Sequence, residues 1–176
     1  MFEIETERLI IKPYNISDAN DMAALHANPI VMDFMKDHKP LSKAEAHETF
    51  TRYLHCWQVD GFSVFAVRLK EQKTFIGECG FWHRTDKPGV SMRFLLDHHF
   101  WRKGYGAEMN IAITQWLFTQ TVVPSFWAVT QSRNKGSVAI LQRLGGIIVE
   151  TAHMGIDGLL KFDVTRHAWE AFQANA

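Results

Sequence analysis

A glycine-containing turn between an apolar run and an amphipathic helix constrains this chain more than any other feature. The turn lies in residues 100–108, FWRKGYGAE, and follows the strand-like run 90–96. The helix that it opens carries one apolar face, formed by Met109, Ala112, Ile113, Trp116 and Leu117. The first N–H groups of a helix lack intrahelical partners and carry positive potential, and glycines let an anion approach them without meeting a Cβ. The pattern therefore predicts a phosphate or pyrophosphate site at the start of this helix.

The spacing of the two glycines distinguishes between kinds of phosphate loop. Gly104 and Gly106 are too close for G-x-x-x-x-G-K-S/T, and Met109 stands where a dinucleotide fingerprint needs its third glycine. The remaining pattern, x-x-x-G-x-G-A, resembles the coenzyme A pyrophosphate loop of the GNAT acyltransferases, Q/R-x-x-G-x-G/A. Its local form is similar to the RimJ/RimL-like branch, which reads Y-W-G-K-G-Y-A-T-E-A, and Trp101 stands where other branches carry Gln or Arg. The alternative is a tight strand-to-helix turn with solvated cations.

A second motif follows further along the chain. Asn134 and Ser137 precede the run 138–146, VAILQRLGG, in which Gly145 suits the left-handed end of a short helix. This resembles the N-x-x-S-x-x-x-L-x-x-L-G-F segment of the same family, whose Asn contacts the pantetheine arm of the coenzyme. Taken alone, Asn134 would be interpreted as a helix cap. The two motifs, however, occur in the family's order, with one predicted strand between them.

Composition and charge are those of an ordinary globular domain. The 176 residues are 47% hydrophobic and 22% charged, with 19 basic and 19 acidic side chains. This balance gives no field that favours nucleic acid, and no apolar run reaches the length of a membrane-spanning helix. Segment 1–7 does not resemble a secretory signal. Cys56 and Cys79 lack metal-type spacing and suit reduced thiols, so we expect a cytoplasmic protein.

The order of predicted elements indicates one α/β domain, residues 6–170, with a mixed sheet of about seven strands flanked by helices. Strands are predicted at 8–14, 62–69, 74–83, 89–97, 125–130, 147–152 and 158–165. Helices are predicted from Ser17 to about residue 27, where Pro29 marks the end, from the capping box Ser42–Glu45 onward, from the glycine turn to about residue 120, at 135–144 and at the C-terminus. This order is similar to the GNAT fold, and the resemblance covers residues 6–165.

The resemblance implies acetyl-coenzyme A as the cosubstrate and indicates which residues bind it. Strand 89–97 is expected to splay from the next strand, so that its free backbone groups bind the pantetheine amides. Backbone N–H groups of the glycine turn are expected to hold the pyrophosphate, and Asn134 the pantetheine arm. The binding residues implied in this way are Phe94, Leu95, Leu96, Arg102, Lys103, Gly104, Tyr105, Gly106, Ala107 and Asn134.

The general base is the least determined part of the predicted site. Amine acyl transfer needs a group that accepts a proton from the amine, and Ser91 stands where many relatives carry a Glu. Glu78 lies on an apolar strand face, where burial should raise its pKa toward neutrality, so we predict it as the base. The alternatives are a Glu78 that is merely a sheet-edge carboxylate or paired with Arg93, or a different proton acceptor, namely His83, Asp97, His98 or a water chain.

The acid that protonates the thiolate is also uncertain. Much of the family uses a Tyr where this chain has Leu141, so we predict Ser137, the nearest hydroxyl, in that role. An acid is not obligatory, because a coenzyme A thiolate is a fair leaving group. Phe34, Trp57, Phe62 and Trp82 are expected core residues that can also line the acceptor cleft, since segment 28–60 covers that side in the family.

No metal site is expected. His47 and Glu48 are followed by Thr51, so the H-E-x-x-H spacing fails. His98 and His99 are adjacent and would point to opposite sides of an extended chain.

Three functions remain open. The first is an acetyl-coenzyme A-dependent N-acetyltransferase that acts on a primary amine, either a protein or peptide N-terminus or a small-molecule amine. The second is a non-catalytic acyl-coenzyme A-binding module, since Ser91 and Leu141 replace an expected base and acid. The third is another nucleotide-binding α/β protein. The acceptor and the oligomeric state are left open, with a homodimer as one alternative, and neither nucleic acid nor membrane is expected as a partner.

Overall fold

The computed structural model describes residues 2–35, 38–83 and 88–174. Its strands are β1 Ile4–Glu5, β2 Leu9–Pro13, β3 Val64–Leu69, β4 Phe75–His83, β5 Val90–Leu96, β6 Ser125–Gln131, β7 Ile147–Glu150 and β8 Leu159–Thr165. Its helices are α1 Ala19–Ala27, α2 Pro29–Met32, α3 Lys43–Val59, α4 Tyr105–Gln120, α5 Lys135–Arg143 and α6 Arg166–Gln173. Short 3-10 turns lie at Ile16–Asp18, His98–Phe100 and His153–Gly155.

The strands of the described ranges form one mixed sheet in the order β1-β2-β3-β4-β5-β6-β8-β7. Neighbouring strands are antiparallel except β5 and β6, which are parallel. The predicted α/β class with a mixed sheet is confirmed. The eighth strand is the two-residue β1, which is too short to leave a periodic pattern in the sequence.

Helix α4 covers one face of the sheet, and α1 and α3 cover the other. Met109, Ile113 and Leu117 of α4 are fully buried in the larger core cluster, as their spacing predicts. On the opposite face, Phe50 and Tyr53 of α3 pack in a second cluster with Tyr14, which follows β2, and with residues of β3 and β4. Within the described ranges, no helix combines the length and apolarity needed to cross a membrane.

The helix starts follow local capping chemistry. The capping box predicted at Ser42 and Glu45 is present in both directions. The predicted cap Ser17 is wrong, because Asn15 Oδ1 accepts from the Ser17 N–H and begins the 3-10 turn that leads into α1. Pro29 does follow the end of α1, but it also opens α2, where a proline fits because the first helical N–H needs no partner.

A gap between β5 and β6 is the feature that positions the site. The two strands pair only at Val90↔Phe126 and Ser91↔Trp127, and they diverge beyond these residues. On its other side β5 stays paired with β4 along its whole length, from His83↔Val90 to Gly77↔Leu96. The splay expected before the glycine turn is therefore present, and it leaves one edge of β5 without a neighbouring strand.

Candidate active site

A cavity of about 750 Å³ fills the gap between β5 and β6. Its walls include the diverging parts of both strands, and one end reaches the start of α4. Of the predicted binding residues, those in the wall are Phe94, Leu95, Leu96, Arg102, Gly104, Gly106, Ala107 and Asn134. Ser137 also lines the cavity, whereas Lys103, Tyr105 and Glu78 do not.

The open edge of β5 presents the backbone of alternate residues. The Leu96 carbonyl accepts a hydrogen bond from Trp101 Nε1 at 2.7 Å, while the next N–H, that of Asp97, donates to the Ile76 carbonyl of β4 at 2.8 Å. Because backbone direction alternates along a strand, Phe94 and Leu96 face the cavity and Leu95 faces β4. The expectation that Leu95 offers free backbone groups is therefore not met. Its side chain packs among Leu25, Val31 and Met32 instead.

The glycine turn exposes the first N–H groups of α4 to the cavity. Gly104 precedes the helix at φ +85°, a left-handed conformation that glycine adopts without strain. A Cβ at Gly106 would lie 3.0 Å from Ile140 Cδ1, so a side chain there would crowd the same wall. Arg102 adopts φ +60° although it is not glycine. The turn thus has the geometry of an anion cradle, with one residue in a disfavoured conformation.

An ion pair from the N-terminal strand region holds this turn in place. The Arg8 guanidinium lies 2.6 Å from Glu108 Oε2 in the first turn of α4, and its NH1 donates to the Lys103 carbonyl at 3.0 Å. Arg8 also lies over the Tyr105 ring, at 4.4 Å from its centroid. Thr6 Oγ1 donates to Glu108 Oε1 at 2.5 Å. Lys103 and Tyr105 are thereby part of the support of the cradle, and no local signal indicated Arg8.

Asn134 and Ser137 lie at the start of α5, on the opposite wall. The Ser137 N–H donates to Asn134 Oδ1 at 3.1 Å, so Asn134 is the helix cap. Because both residues also line the cavity, the capping role and a binding role are compatible. Leu141 is fully buried in the main core, so it offers no group to the site.

Glu78 has surroundings unlike those predicted for it. It is fully buried and accepts hydrogen bonds from four side chains. The donors are Tyr14 Oη at 2.8 Å, His26 Nε2 at 3.0 Å, Arg93 Nε at 3.1 Å and Tyr53 Oη at 3.3 Å. Burial alone would raise the pKa of Glu78, but the charges and hydrogen bonds of these partners outweigh burial and lower it to about 2.

The predicted raised pKa is therefore wrong, and the alternative of a Glu78–Arg93 pair is present. A carboxylate with so low a pKa is a weak proton acceptor near neutral pH, and Glu78 does not line the cavity. Burial and the Glu78 charge raise the pKa of Tyr14. Burial likewise raises the pKa of Tyr53. Neither tyrosine therefore acts as an acid near neutral pH.

The other predicted proton acceptors lie away from the cavity. His83 is exposed and packs against Phe62 on a separate shallow groove. Asp97 caps the 3-10 turn through the His99 N–H, and neither Asp97 nor His98 is part of the cavity wall. The rings of His98 and His99 lie 3.9 Å apart between centroids, so the prediction that they diverge is wrong because this segment is helical. Possible ligand atoms of Asp97, His98 and His99 lie within 4.8 Å of one another.

His153 lines the cavity and was not among the predicted residues. It lies in the connection between β7 and β8, and its Nδ1 is 2.5 Å from Glu150 Oε2. The hydrogen bond from His153 lowers the pKa of Glu150, which keeps this carboxylate ionised. A carboxylate on one ring nitrogen fixes the tautomer and orientation of an imidazole, as in hydrolase triads. A Glu-x-x-His spacing in a turn is too common to have indicated this pair from the sequence.

Aromatic and cationic side chains complete the wall. Phe34, Trp82 and Trp127 line the cavity, whereas Trp57 packs in the core and donates to the Val64 carbonyl, and Phe62 lies elsewhere. Of the four aromatics predicted for the acceptor cleft, Phe34 and Trp82 are thus in its wall. Arg133 crosses the gap, pairing with Asp33 at 2.7 Å and lying 4.8 Å from the centre of the Phe34 ring.

Comparisons with known proteins agree with this geometry. The family described as "Acetyltransferase (GNAT) domain" matches residues 8–147. An uncharacterized N-acetyltransferase p20 of Bacillus licheniformis is 23% identical over 146 residues, which is 82% of each chain. An acetyltransferase from Agrobacterium tumefaciens superposes with a TM-score of 0.82 at 23% identity, covering 94% of this chain and 95% of that one. RimL, a ribosomal L7/L12 α-N-protein acetyltransferase solved with coenzyme A, superposes with a TM-score of 0.78 at 13% identity. The match covers 95% of this chain and 99% of RimL.

Proposed function

Because the chain belongs to the GNAT acetyltransferase family, we propose that it transfers the acetyl group of acetyl-coenzyme A directly to a primary amine bound in the same cavity. The observation that carries this proposal is the splay of β5 from β6, which opens one cavity from the strand edge to the start of α4. Coenzyme A carries a pyrophosphate next to an extended arm with amide groups. It therefore needs a helix start and an open strand edge in one cavity.

The residues present fit such a cosubstrate. The first N–H groups of α4, behind Gly104 and Gly106, suit the pyrophosphate, and Arg102 adds positive charge in the same wall. Phe94 and Leu96 offer backbone groups to an arm that lies along the open edge of β5. Asn134 and Ser137 face that edge from α5. When bound, acetyl-coenzyme A supplies an activated acyl carbon, which forms a C–N bond to the amine as its C–S bond breaks and the thiolate leaves.

We propose His153 as the general base. Glu150 binds its Nδ1 and so orients the imidazole in the cavity wall, which suits His153 to take a proton from a bound amine. The position of His153 in the cavity wall supports this role over Glu78, which is buried behind that wall with a pKa of about 2. Glu78 then acts through its neighbours, by fixing Arg93. Ser137 remains the proposed hydrogen-bond donor to the leaving thiolate.

The acceptor is the finer part of the proposal. RimL acts on a ribosomal protein according to its description, and the glycine loop of this chain resembles that branch. A protein N-terminus and a small-molecule amine are therefore both candidates. An acyl-coenzyme A-binding module without activity is the second candidate function, because Ser91 and Leu141 lack the acid–base groups of relatives. The His153–Glu150 pair favours the enzyme.

Release of free thiol from acetyl-coenzyme A tests the proposed function. The purified chain is given acetyl-coenzyme A and a panel of primary amines that includes peptides with free N-termini, and the products are identified by mass. We expect amine-dependent thiol release with one acetyl group added per thiol. Tight binding of the coenzyme with no turnover over the whole panel would instead indicate the binding module.

A further inference from the structure

The Arg93 guanidinium lies in the cavity wall, and most of its donors have no acceptor among the residues that the structure describes. Its side chain is 16% exposed, and its Nε donates to Glu78 Oε1 at 3.1 Å. Within the described ranges its guanidinium otherwise lies only over the face of Trp82, 5.9 Å from the ring centre, while its backbone pairs with Gly80 of β4. Its two terminal nitrogens therefore have no hydrogen-bond acceptor among the side chains and backbone of those ranges.

A guanidinium in this state is suited to bind a planar anion. Its terminal nitrogens form a rigid fork that matches the two oxygens of a carboxylate. The terminal nitrogens are accessible to solvent in the free protein, whereas most of the side chain is already buried. An anion at the fork therefore replaces water with a charge-assisted pair at little further desolvation cost to the protein.

The Glu78 cluster holds the Arg93 fork in one orientation. Glu78 is bonded by Tyr14 of the segment after β2, His26 of α1 and Tyr53 of α3, so three separate elements fix the carboxylate that in turn fixes Nε. A donor that is already immobilised loses little entropy when it binds a ligand. The buried network around Glu78, which acetyl transfer itself does not require, thus orients Arg93 for ligand binding.

The position of Arg93 relates the anion to the reacting amine. Arg93 lies just beyond Ser91, the last residue of β5 that pairs with β6, and hence at the closed end of the splay. The cradle lies at the opposite end of β5, so the phosphates of the coenzyme are expected away from Arg93. An anion at Arg93 therefore belongs to the acceptor, within a few bonds of its amine.

The surroundings of Arg93 define the rest of the acceptor. Trp82, Trp127 and Met35 give the adjoining wall an apolar and aromatic character. Arg52 also lies over the Trp82 ring, 5.0 Å from its centre, and adds a positive charge on that side. Because Glu78 offsets the charge of Arg93, the Arg52 charge is the one that disfavours a polyamine or another multiply cationic acceptor.

We propose that Arg93 binds the carboxylate of an amino-acid-type acceptor, an amine with a carboxylate close to it and an apolar or aromatic side chain. This inference rests on the proposed function and narrows it. It favours a free amino acid over a protein N-terminus, whose α-carboxyl is an amide.

The test compares acceptors that share the phenylalanine skeleton and differ in the group at the carboxylate position. L-phenylalanine, L-phenylalaninamide and phenethylamine are assayed by thiol release with saturating acetyl-coenzyme A. We expect kcat/KM for phenylalanine to exceed that of either analogue by about tenfold or more, as hydrogen bonds to a charged group allow. Equal or better use of phenethylamine or the amide would overturn the inference and leave the proposed function standing. No thiol release with any amine would instead count against the proposed function.

Product binding gives a readout that does not need turnover. N-acetyl-L-phenylalanine is expected to stabilise the protein in a thermal shift measurement, and N-acetylphenethylamine is expected to have a weaker effect at the same concentration. Equal stabilisation by the two products would contradict a carboxylate site even if no acetylation is detected.

Variants assign the preference to Arg93. In Arg93→Lys, and in Arg93→Gln combined with Glu78→Gln so that no charge is left buried alone, the ratio of kcat/KM for phenylalanine over phenethylamine should fall toward one. Arg68→Lys is the matched control, since Arg68 is a partly buried arginine paired with Asp18 and Asp21 outside the cavity. It should keep the wild-type ratio. A ratio that is unchanged in a folded Arg93 variant would show that Arg93 has only a structural role.

Discussion

The Glu78 carboxylate lies 3.0 Å from His26 Nε2, and neither side chain is exposed to solvent. Arg93, Tyr14 and Tyr53 complete the hydrogen bonding of this carboxylate. A charge so deep in the protein is tolerated because hydrogen-bond donors surround it. Removing it should therefore lower the free energy of unfolding more than it lowers the rate of acetyl transfer.

The stability of the protein should depend on the ionised form of Glu78. Its pKa falls from 4.5 to about 2 on folding, so its contribution is complete above pH 4.5 and is lost as pH falls toward 2. Glu78→Gln should lower the free energy of unfolding by about 3–5 kcal/mol at pH 6, because Arg93 is left without its counter-ion. Urea denaturation at pH 6 and pH 3 measures this, and the gap to wild type should narrow at pH 3.

Glu45→Gln is the control for that comparison. Glu45 is an exposed carboxylate of the α3 capping box, so its loss should lower the free energy of unfolding far less than the loss of Glu78 does. A Glu78→Gln deficit that stays constant between the two pH values would mean that the folded protein does not hold Glu78 ionised.

The Arg8–Glu108 pair should affect coenzyme binding more than stability. Arg8 binds both Glu108 and the Lys103 carbonyl, so Arg8→Ala should loosen the cradle and weaken acetyl-coenzyme A binding by roughly three- to tenfold. Because the pair is partly exposed, the free energy of unfolding should fall by only about 1 kcal/mol or less. Calorimetric titration and urea denaturation give the two quantities.

Lys70→Ala is the comparison for Arg8→Ala, since the Lys70 side chain pairs with Glu5 at 2.7 Å and reaches the Thr6 carbonyl at 3.5 Å, but bonds neither Glu108 nor the Lys103 carbonyl. It should leave coenzyme affinity at the wild-type value. If the two variants weaken coenzyme binding equally, the loss of a positive charge explains the effect, and the contacts of Arg8 with the glycine turn do not.

Arg102 should separate stability from binding. At φ +60° the backbone of Arg102 is strained, and the RimJ/RimL-like loop pattern has glycine at this place. Arg102→Gly should raise the free energy of unfolding by about 0.5 kcal/mol, the strain relieved less the added entropy of the unfolded chain. Coenzyme affinity should nonetheless fall, because a cation leaves the cavity wall.

Lys73→Gly provides the comparison, since Lys73 has φ +58° in the turn between β3 and β4. A similar gain in stability with unchanged affinity is expected there. Arg102→Gly with unaltered affinity would show that the Arg102 charge does not contribute to binding.

His153 should act in the chemical step and not in coenzyme binding. His153→Gln should reduce kcat by about 10²- to 10⁴-fold and leave the affinity for acetyl-coenzyme A close to the wild-type value. Glu150→Gln should have a smaller effect on kcat, because it removes only the group that orients the ring. In His55→Gln, which changes an exposed histidine on α3, kcat should stay at the wild-type value. A wild-type kcat in folded His153→Gln would assign the base elsewhere.

The sequence was sufficient for the parts of the fold that depend on local periodicity and capping. The apolar stripe of α4 and the Ser42–Glu45 box are satisfied by residues within one or two helical turns, so their signals are local. The two-residue β1 and four-residue α2 are too short for any periodic signal. The glycine turn is predictable from the sequence because adjacent residues, Gly104 and Gly106 among them, determine its geometry.

The chemistry of the site depended on contacts that sequence spacing does not reveal. Alternation correctly placed Glu78 on a buried strand face, but its pKa is set by residues 14, 26, 53 and 93, which come from four other segments. Burial without those partners would have raised the pKa, and the prediction failed for that reason. His153 lies in a loop and Arg8 in the N-terminal segment, where no motif marks either residue.

The most direct test of the central claim is a thermal shift measurement with acetyl-coenzyme A, coenzyme A, ATP and NAD on wild type, Gly104→Glu and Gly61→Glu. Gly61 has φ +73° and open space around it, so its variant introduces similar backbone strain and the same charge away from the cavity. We predict that both coenzyme A forms raise Tm in wild type and in Gly61→Glu, and that the rise is lost in Gly104→Glu. No rise at millimolar ligand, or an equal rise in Gly104→Glu, would contradict a coenzyme A cradle at the start of α4.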